Sequence, residues 1–267
     1  MAPHISKLLH ASERTLLVDV FGGSGVVVMN AGFRKRVYND LDGDLVNMFE
    51  VISCRYQRRA LLGRAKYTPI SRKVFDNYRT IYKKGGLSFR LIEDPVERAL
   101  AIFYLGSFSF GGKIRSGGFQ ISGSDRDPIK EVSRWHNRVK AFAKLGEFWM
   151  HTVIENKHYQ DMIRIYGKKR ESVLYCDPPY DGTENYYSVE FTKADHTFLA
   201  HQLSECSSPA VVSYYDTPLI RSLYKEDIWT YHKFDATKNT ARCNRFTPAA
   251  PKSDKSVELL ITKGITV

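Results

Sequence analysis

Apolar residues along this chain come in short blocks, and the spacing inside each block predicts an element. Thr15-Leu16-Leu17-Val18-Asp19-Val20-Phe21 is almost continuously apolar and of strand length, the mark of a strand covered on both faces. It runs into Gly22-Gly23-Ser24-Gly25 and then Val26-Val27-Val28-Met29: strand, glycine turn, apolar helix start. A second short strand, Arg36-Val37-Tyr38-Asn39, ends at Asp40. Leu45, Met48, Phe49 and Ile52 then recur at helical spacing. So do Ala99, Leu100, Ile102, Phe103, Leu105 and Phe108 in a helix expected from Glu97 to Phe110, and Trp135, Val139, Phe142, Leu145 and Trp149 in another. Core resumes at Val153-Ile154, Tyr159, Met162 and Ile163. Ser172-Val173-Leu174-Tyr175-Cys176 predicts a buried strand that stops at Asp177-Pro178-Pro179-Tyr180 and the polar stretch Asp181-Gly182-Thr183-Glu184-Asn185. A helix from Asp195 to Cys206, a strand Ala210-Val211-Val212-Ser213-Tyr214 and a last strand Val257-Glu258-Leu259-Leu260-Ile261 complete the pattern. Between the last two strands, Lys233 to Lys255 is polar, with Pro248 and Pro251, and is expected to loop over the surface.

Strands alternating with helices predict an α/β fold around a largely parallel sheet. In a simple doubly wound sheet, at about 30 residues per βαβ unit, the first and fourth strands lie roughly 70–90 residues apart. Gly25 and Asp177 are 152 residues apart, so an insertion separates them. Composition shows where. Between residues 51 and 92 there are eleven Lys and Arg and one acid, Asp76, a local charge of +10 in a chain whose net charge is +11. Tyr56, Tyr67, Phe75, Tyr78, Tyr82 and Phe89 are interleaved with those bases. A basic, aromatic-laced face suits phosphate and bases, with Arg58, Arg59, Lys83 and Lys84 as candidate contacts. A solvated basic face with some aromatics in the core is the plain alternative. The Gly-rich run from Phe110 to Phe119, carrying Lys113 and Arg115, reads either as an arm that orders on DNA or as a surface loop. The expected division is therefore 1–54 with 135–267 for the sheet domain and 55–134 for a mostly helical insertion.

The strongly basic balance, with pI about 9.4, favours a polyanionic partner. Cys54, Cys176, Cys206 and Cys243 are scattered without a CxxC pair, which fits neither a disulfide framework nor a zinc site. The first residues lack the apolar centre of a signal peptide, and no run approaches about eighteen apolar residues, so a soluble, cytoplasmic protein is expected.

Candidate chemistry gathers at strand ends. In open α/β sheets ligands bind at the carboxyl ends of the strands, where Phe21 to Gly25, Asp40 and Asp177 to Tyr180 all fall. Glycines admit a ligand close to the backbone and leave helix N–H groups pointing outward. An acid at the end of the second strand suits the two hydroxyls of a ribose; Asp40 stands 15 residues after Gly25. Asp40, Asp42 and Asp44 do not form a calcium loop, because the sixth and twelfth positions are Leu45 and Val51. In Asp177-Pro178-Pro179-Tyr180 two successive prolines fix φ and donate no N–H. A carboxylate, a bare carbonyl and an aromatic ring thus share one stiff corner. Such a corner can grip a flat group that donates two hydrogen bonds and offers a π face, as an exocyclic amino group on a nucleobase does. A tight turn with a helix-capping Asp is the plain alternative.

Phe-Gly-Gly-Ser-Gly at 21–25, Tyr38-Asn39-Asp40-Leu41-Asp42-Gly43-Asp44, the corner at 177–180 and Val257-Glu258-Leu259-Leu260 stand in an order that resembles the Dam-like, D12-class DNA adenine-N6 methyltransferases over essentially the full length. The resemblance implies a Rossmann-like, S-adenosylmethionine-dependent sheet carrying an inserted target-recognition subdomain, and double-stranded DNA as partner of a monomer or transient dimer. It implies Lys7, Phe21, Gly23, Ser24, Gly25, Asp40, Tyr159 and Asp177 around the cofactor, with Asp40 on the ribose and Tyr159 beside the adenine. Asp177, Pro178, Pro179 and Tyr180 would be catalytic. Asp177 and the Pro178 carbonyl would each accept one N–H of the target amino group, and Tyr180 would stack on the extruded base. That chemistry needs no metal, so His151, His158, His196 and His201 read as surface or core residues. Cys176 reads as structural, since a cysteine nucleophile belongs to carbon-5 chemistry. A cytosine-N4 methyltransferase and a non-catalytic DNA-binding protein on the same scaffold are the alternatives.

Overall fold

In chain order, the computed structural model runs through α1 (Ala2–Ala11), β1 (Leu16–Asp19), α2 (Val26–Asn30) and β2 (Lys35–Asn39). It continues through α3 (Gly43–Ser53), α4 (Arg55–Tyr67), α5 (Arg72–Lys84), α6 (Pro95–Phe108), α7 (Pro128–Lys144), α8 (Gly146–Met150) and β3 (Val153–Glu155). Then come α9 (Tyr159–Tyr166), β4 (Ser172–Cys176), α10 (Lys193–Glu205), β5 (Ala210–Tyr215), α11 (Pro218–Leu223), β6 (Thr230–Ala236) and β7 (Ser256–Lys263). The structure describes residues 2–110, 114, 117–120, 128–180, 191–236 and 256–266. Packing divides it into two units: one up to Leu41 and from Lys157 on, the other Asp42–Asn156.

Within the first unit the strands stand in the order β2-β1-β4-β5-β7-β6. β1 pairs in parallel with β2 and β4, and β4 with β5, whereas β7 runs antiparallel to both of its neighbours. This is a Rossmann-like α/β sheet. The near-continuous apolar runs became strands buried along their length: Leu17 and Val18 of β1, Val173 and Leu174 of β4, and Val211 and Val212 of β5 are inaccessible to solvent. Met162 of α9 and Leu199 and Leu203 of α10 pack on Val18, Leu174, Val212 and Ile261. Local chemistry places the helix starts. Thr192 and Asp195 form a reciprocal capping box at α10, and Thr217 with Pro218 opens α11.

Two elements of this unit escaped the apolar pattern. α1 buries Ile5, Leu8 and Leu9 at helical spacing on one face. β6 covers Lys233 to Ala236, the beginning of the stretch expected to loop; it is an edge strand, where polar side chains are normal, and so carries no apolar block. The rest of that stretch, 237–255, lies outside the described residues.

The second unit is built on helices. α6 buries Ala99, Leu100, Ile102, Tyr104 and Leu105, and Phe103 lies between the rings of Trp135 and Phe142 of α7. The pattern from Trp135 to Trp149 is carried by two helices rather than one. The second, α8, brings Trp149 onto Phe49 of α3, ring centroids 3.9 Å apart. The Trp135 indole donates to the Ala65 carbonyl at 3.0 Å, joining α7 to α4. Asp44, buried on α3, pairs with Arg98 Nε of α6 at 2.6 Å and accepts the Phe89 amide at 2.8 Å. Because α3, α8 and β3 pack with these helices, the unit extends beyond the 55–134 drawn from composition. Charge marks the surface of the insertion, whereas apolar helices outside the charged stretch complete its core.

Candidate active site

The glycine turn is held from both sides. Gly25 N–H donates to the Gly22 carbonyl at 2.8 Å, and Gly23 and Gly25 take φ of +50° and +71°, a region that suits glycine. Gly22 is fixed by space: a Cβ there would lie 2.2 Å from Tyr38 Cε2. Gly23 is the reverse case, since a Cβ would meet nothing within 4 Å, so the turn faces open space at that residue. Asp40 Oδ2 accepts the Gly23 amide at 2.7 Å, and the Tyr38 hydroxyl donates to the Gly23 carbonyl at 2.7 Å. The Asn39 side chain donates to the carbonyls of Val20 (2.9 Å) and Lys157 (3.0 Å) and accepts the Lys157 amide at 2.9 Å. The ends of β1 and β2 and the approach to α9 are thereby locked together.

Beside the turn, Phe21 stacks on Tyr159, centroids 5.7 Å apart, and both rings contact Phe191. Tyr159 is 4% exposed and its hydroxyl donates to Asp195 Oδ1 at 3.3 Å; burial pushes its pKa up to about 12. Ser24 is exposed. Lys7 is exposed on α1.

Asp19, the last residue of β1, is 1% exposed, and among the described residues neither carboxylate oxygen has a hydrogen-bond partner. Burial holds its pKa well above the usual carboxylate range, the charges of Asp177 and Asp40 add to that, and the Val28 amide opposes it. Asp177 follows β4. Loss of solvation pushes its pKa up to about 6; the hydroxyl of Tyr180 pulls it down, the Glu258 carboxylate raises it and the hydroxyl of Ser213 lowers it. Pro178 and Pro179 are buried behind it. The Tyr180 hydroxyl lies 2.8 Å from Ser213 Oγ and donates to Glu258 Oε1 at 3.1 Å, while its ring meets Tyr215 edge-on at 4.5 Å. Cys176 is buried in the core, and burial raises its thiol pKa well above the ordinary value.

Three carboxylates, Asp19, Asp40 and Asp177, therefore end three adjacent strands and repel one another. Of the three, Asp19 is buried without a hydrogen-bond partner among the described residues, whereas Asp40 holds the Gly23 amide and Asp177 is held by the hydroxyls of Tyr180 and Ser213. Among the described residues no His, Cys, Asp and Glu cluster suits a metal ion.

Asp19, Tyr38, Asn39, Phe191, Ser213 and Glu258 were given no site role from sequence, although Tyr38, Asn39 and Glu258 stand inside motifs that carry the resemblance. A signal was present for two of them: Asp19 and Glu258 are lone carboxylates within apolar strand runs, where a charge needs a reason. The others act through tertiary proximity, which periodicity does not encode.

In the second unit, Arg59, Lys83 and Lys84 are exposed. Arg58 is half-buried: its Nη1 donates to the Ile52 carbonyl at 2.8 Å, and the side chain fills the space beside Gly146. Arg64 is paired with Asp94 and Glu97. Of the interleaved aromatics, Phe75, Tyr82 and Phe89 are core, while Tyr56 and Tyr67 are 85% and 79% exposed. Lys113 and Arg115 lie outside the described residues, and no described helix is long and apolar enough to cross a membrane.

Residues 1–240 match the family described as D12 class N6 adenine-specific DNA methyltransferase. The chain is 27% identical over 271 residues to the retron Ec67 DNA adenine methylase of Escherichia coli, covering 97% of this chain and 86% of that protein. It is 25% identical over 228 residues to the DNA adenine methylase of Salmonella typhi, covering 81% and 77%. With the DNA adenine methylase of Vibrio cholerae it shares 27% identity over 230 residues, covering 81% and 78%.

Proposed function

The chain belongs to the D12 class of N6 adenine-specific DNA methyltransferases, and from that premise we propose how its residues work: methyl transfer from S-adenosylmethionine to the N6 amino group of an adenine extruded from double-stranded DNA. One observation carries this reading. The carboxyl-bearing ends of three adjacent strands, Asp19, Asp40 and Asp177, lie with an open-faced glycine turn and an acceptor corner at the carboxyl ends of β1, β2 and β4. S-adenosylmethionine, when bound, supplies an electrophilic methyl on a sulfonium, and its sulfonium and ammonium charges suit a site of this sign. Asp19 takes the ammonium, Gly23 admits the ligand to the backbone, and Asp40 holds the ribose while bracing the turn. Phe21 and Tyr159 line the nucleoside.

The target amino group is a poor nucleophile because its lone pair is delocalised into the ring. Asp177 and the Pro178 carbonyl each accept one of its N–H bonds, draw the nitrogen toward tetrahedral geometry and free the lone pair for direct attack. The N–CH3 bond forms as the S–CH3 bond breaks, leaving a neutral thioether, while the Asp177 carboxylate stabilises the charge that develops on nitrogen and takes the N–H proton on its way to solvent. Positioning and preorganised acceptors do the catalytic work. Tyr180 covers the base. The second unit serves as the target-recognition insertion, its exposed Arg59, Lys83 and Lys84 on phosphate.

Incubation with DNA and methyl-labelled S-adenosylmethionine, followed by digestion to nucleosides and mass spectrometry, tests the reading. Label in N6-methyladenine is the expected result. Label in N4-methylcytosine or in no nucleoside would overturn it.

A further inference from the structure

Three strands converge on a single phenol. Tyr180 stands three residues beyond Asp177 at the end of β4. Its hydroxyl lies 2.8 Å from Ser213 Oγ of β5 and 3.1 Å from Glu258 Oε1 of β7. The antiparallel register of β5 and β7 sets Tyr215 directly opposite Glu258 and Ser213 opposite Leu260. Alternation along a strand puts Ser213 and Tyr215 on the same face of β5, and opposite residues of an antiparallel pair share a face, so Glu258 joins them. Tyr180 lies on that face, its ring edge-on to Tyr215. A ring pinned at its hydroxyl and braced along its edge has lost the freedom to rotate away from the corner that precedes it.

We propose that Ser213 and Glu258 are positioning residues for methyl transfer, which act by holding the Tyr180 hydroxyl from two strands and so fix the aromatic surface that receives the target base beside Asp177. This rests on the reading of Asp177 and Tyr180 as the groups that hold the adenine. The hydroxyls have one proton each to give, and two carboxylates, Asp177 and Glu258, compete for them. Asp177 is also faced by Asp19 from β1, Tyr175 and Cys176 from β4, and Tyr214 and Tyr215 from β5. The Tyr180 hydroxyl favours the ionised form of Asp177, whereas the Glu258 charge opposes it. The two ends of the Tyr180–Glu258 contact therefore tune the acceptor in opposite directions.

The test compares Tyr180→Phe, Ser213→Ala, Glu258→Gln and the double variant Tyr180→Phe/Glu258→Gln in the full chain. kcat, the KM for DNA and the acid limb of the pH profile are measured for each. Glu258→Gln keeps an acceptor oxygen and loses only its charge, so it is expected to lower kcat about fivefold, the difference between a hydrogen bond to a charged and to a neutral acceptor, with the affinity for S-adenosylmethionine unchanged. Its acid-limb midpoint should move down in pH, and that of Tyr180→Phe should move up. In the Tyr180→Phe background, Glu258→Gln should cost no further kcat, because its effect passes through the missing hydroxyl. Glu258→Gln and Ser213→Ala variants with wild-type kcat and midpoint would overturn the proposal, as would an equal loss of kcat from Glu258→Gln with and without the Tyr180 hydroxyl. Asp177→Ala separates the two levels. An inactive Asp177→Ala beside an indifferent Glu258→Gln rejects the positioning role alone, and an active Asp177→Ala rejects the reading beneath it.

Discussion

Asp177 stands where function and stability pull apart. Its pKa of about 6 in the folded chain lies above the value near 3.9 of an unfolded aspartate. A group raised by folding lends relative stability that is fully present below the unfolded pKa and is lost as pH rises through the folded one. At pH 8 the folded protein therefore carries the cost of an ionised, poorly solvated carboxylate. Asp177→Asn should raise the unfolding free energy at pH 8 by no more than about 3 kcal/mol, and the gain should shrink as pH falls through 6 and vanish below about pH 4. If Asp177 is the acceptor proposed above it must be ionised to act, and kcat/KM should then rise through pH 6 to a plateau. Asp19 has the same sign for the same first cause, burial. Asp19→Asn should weaken S-adenosylmethionine binding at least tenfold by calorimetry, the cost of one charge-assisted contact, while leaving the fold at least as stable at pH 8. The corner at 177–180 was legible as a motif because its carboxylate, bare carbonyl and ring are adjacent in sequence. Asp19, Ser213 and Glu258 were not, because what they do depends on strands 40 to 240 residues apart meeting side by side.

At the scale of elements, the deeply buried strands were the most readable. The Ser172–Cys176 run became β4 with the same ends, because a strand covered on both faces has no choice but to be apolar. Elements with one wet face were harder. β6 is an edge strand and α1 hides its three apolar residues among polar ones, so neither raised a block. The helices of the second unit carry bases on the outside and part of the aromatic set inside: composition offered both a base-binding face and core aromatics, and only packing sorts Phe75, Tyr82 and Phe89 into the core from the exposed Tyr56 and Tyr67. The support for those helices includes a buried pair, Asp44 with Arg98, that no sequence pattern marked. Asp44→Ala leaves Arg98 and the Phe89 amide without their partner and should destabilise the protein by about 3–5 kcal/mol. Urea denaturation followed by circular dichroism measures it; a loss under about 1 kcal/mol would mean that the pair is not structural.

Across the whole molecule, chemistry and charge belong to different parts of the chain. The carboxylates of the proposed active site, Asp19, Asp40 and Asp177, lie in the first unit, whereas most of the net charge of +11 lies in the segment 51–92 of the second. DNA affinity and methyl transfer should therefore be separable. Lys83→Ala with Lys84→Ala should weaken DNA binding at every sequence tried and reduce the slope of log K against log salt by about 2. An unchanged slope would put phosphate elsewhere. The most direct test of the mechanism goes to the other part. Single-turnover methyl transfer to DNA is measured for the native chain and for Asp177→Ala, alongside calorimetric affinity for S-adenosylmethionine. The expected result is methyl transfer reduced below detection in Asp177→Ala, with S-adenosylmethionine still bound within about tenfold of the native affinity. Methyl transfer at the native rate in that variant would contradict the role assigned to the acceptor corner.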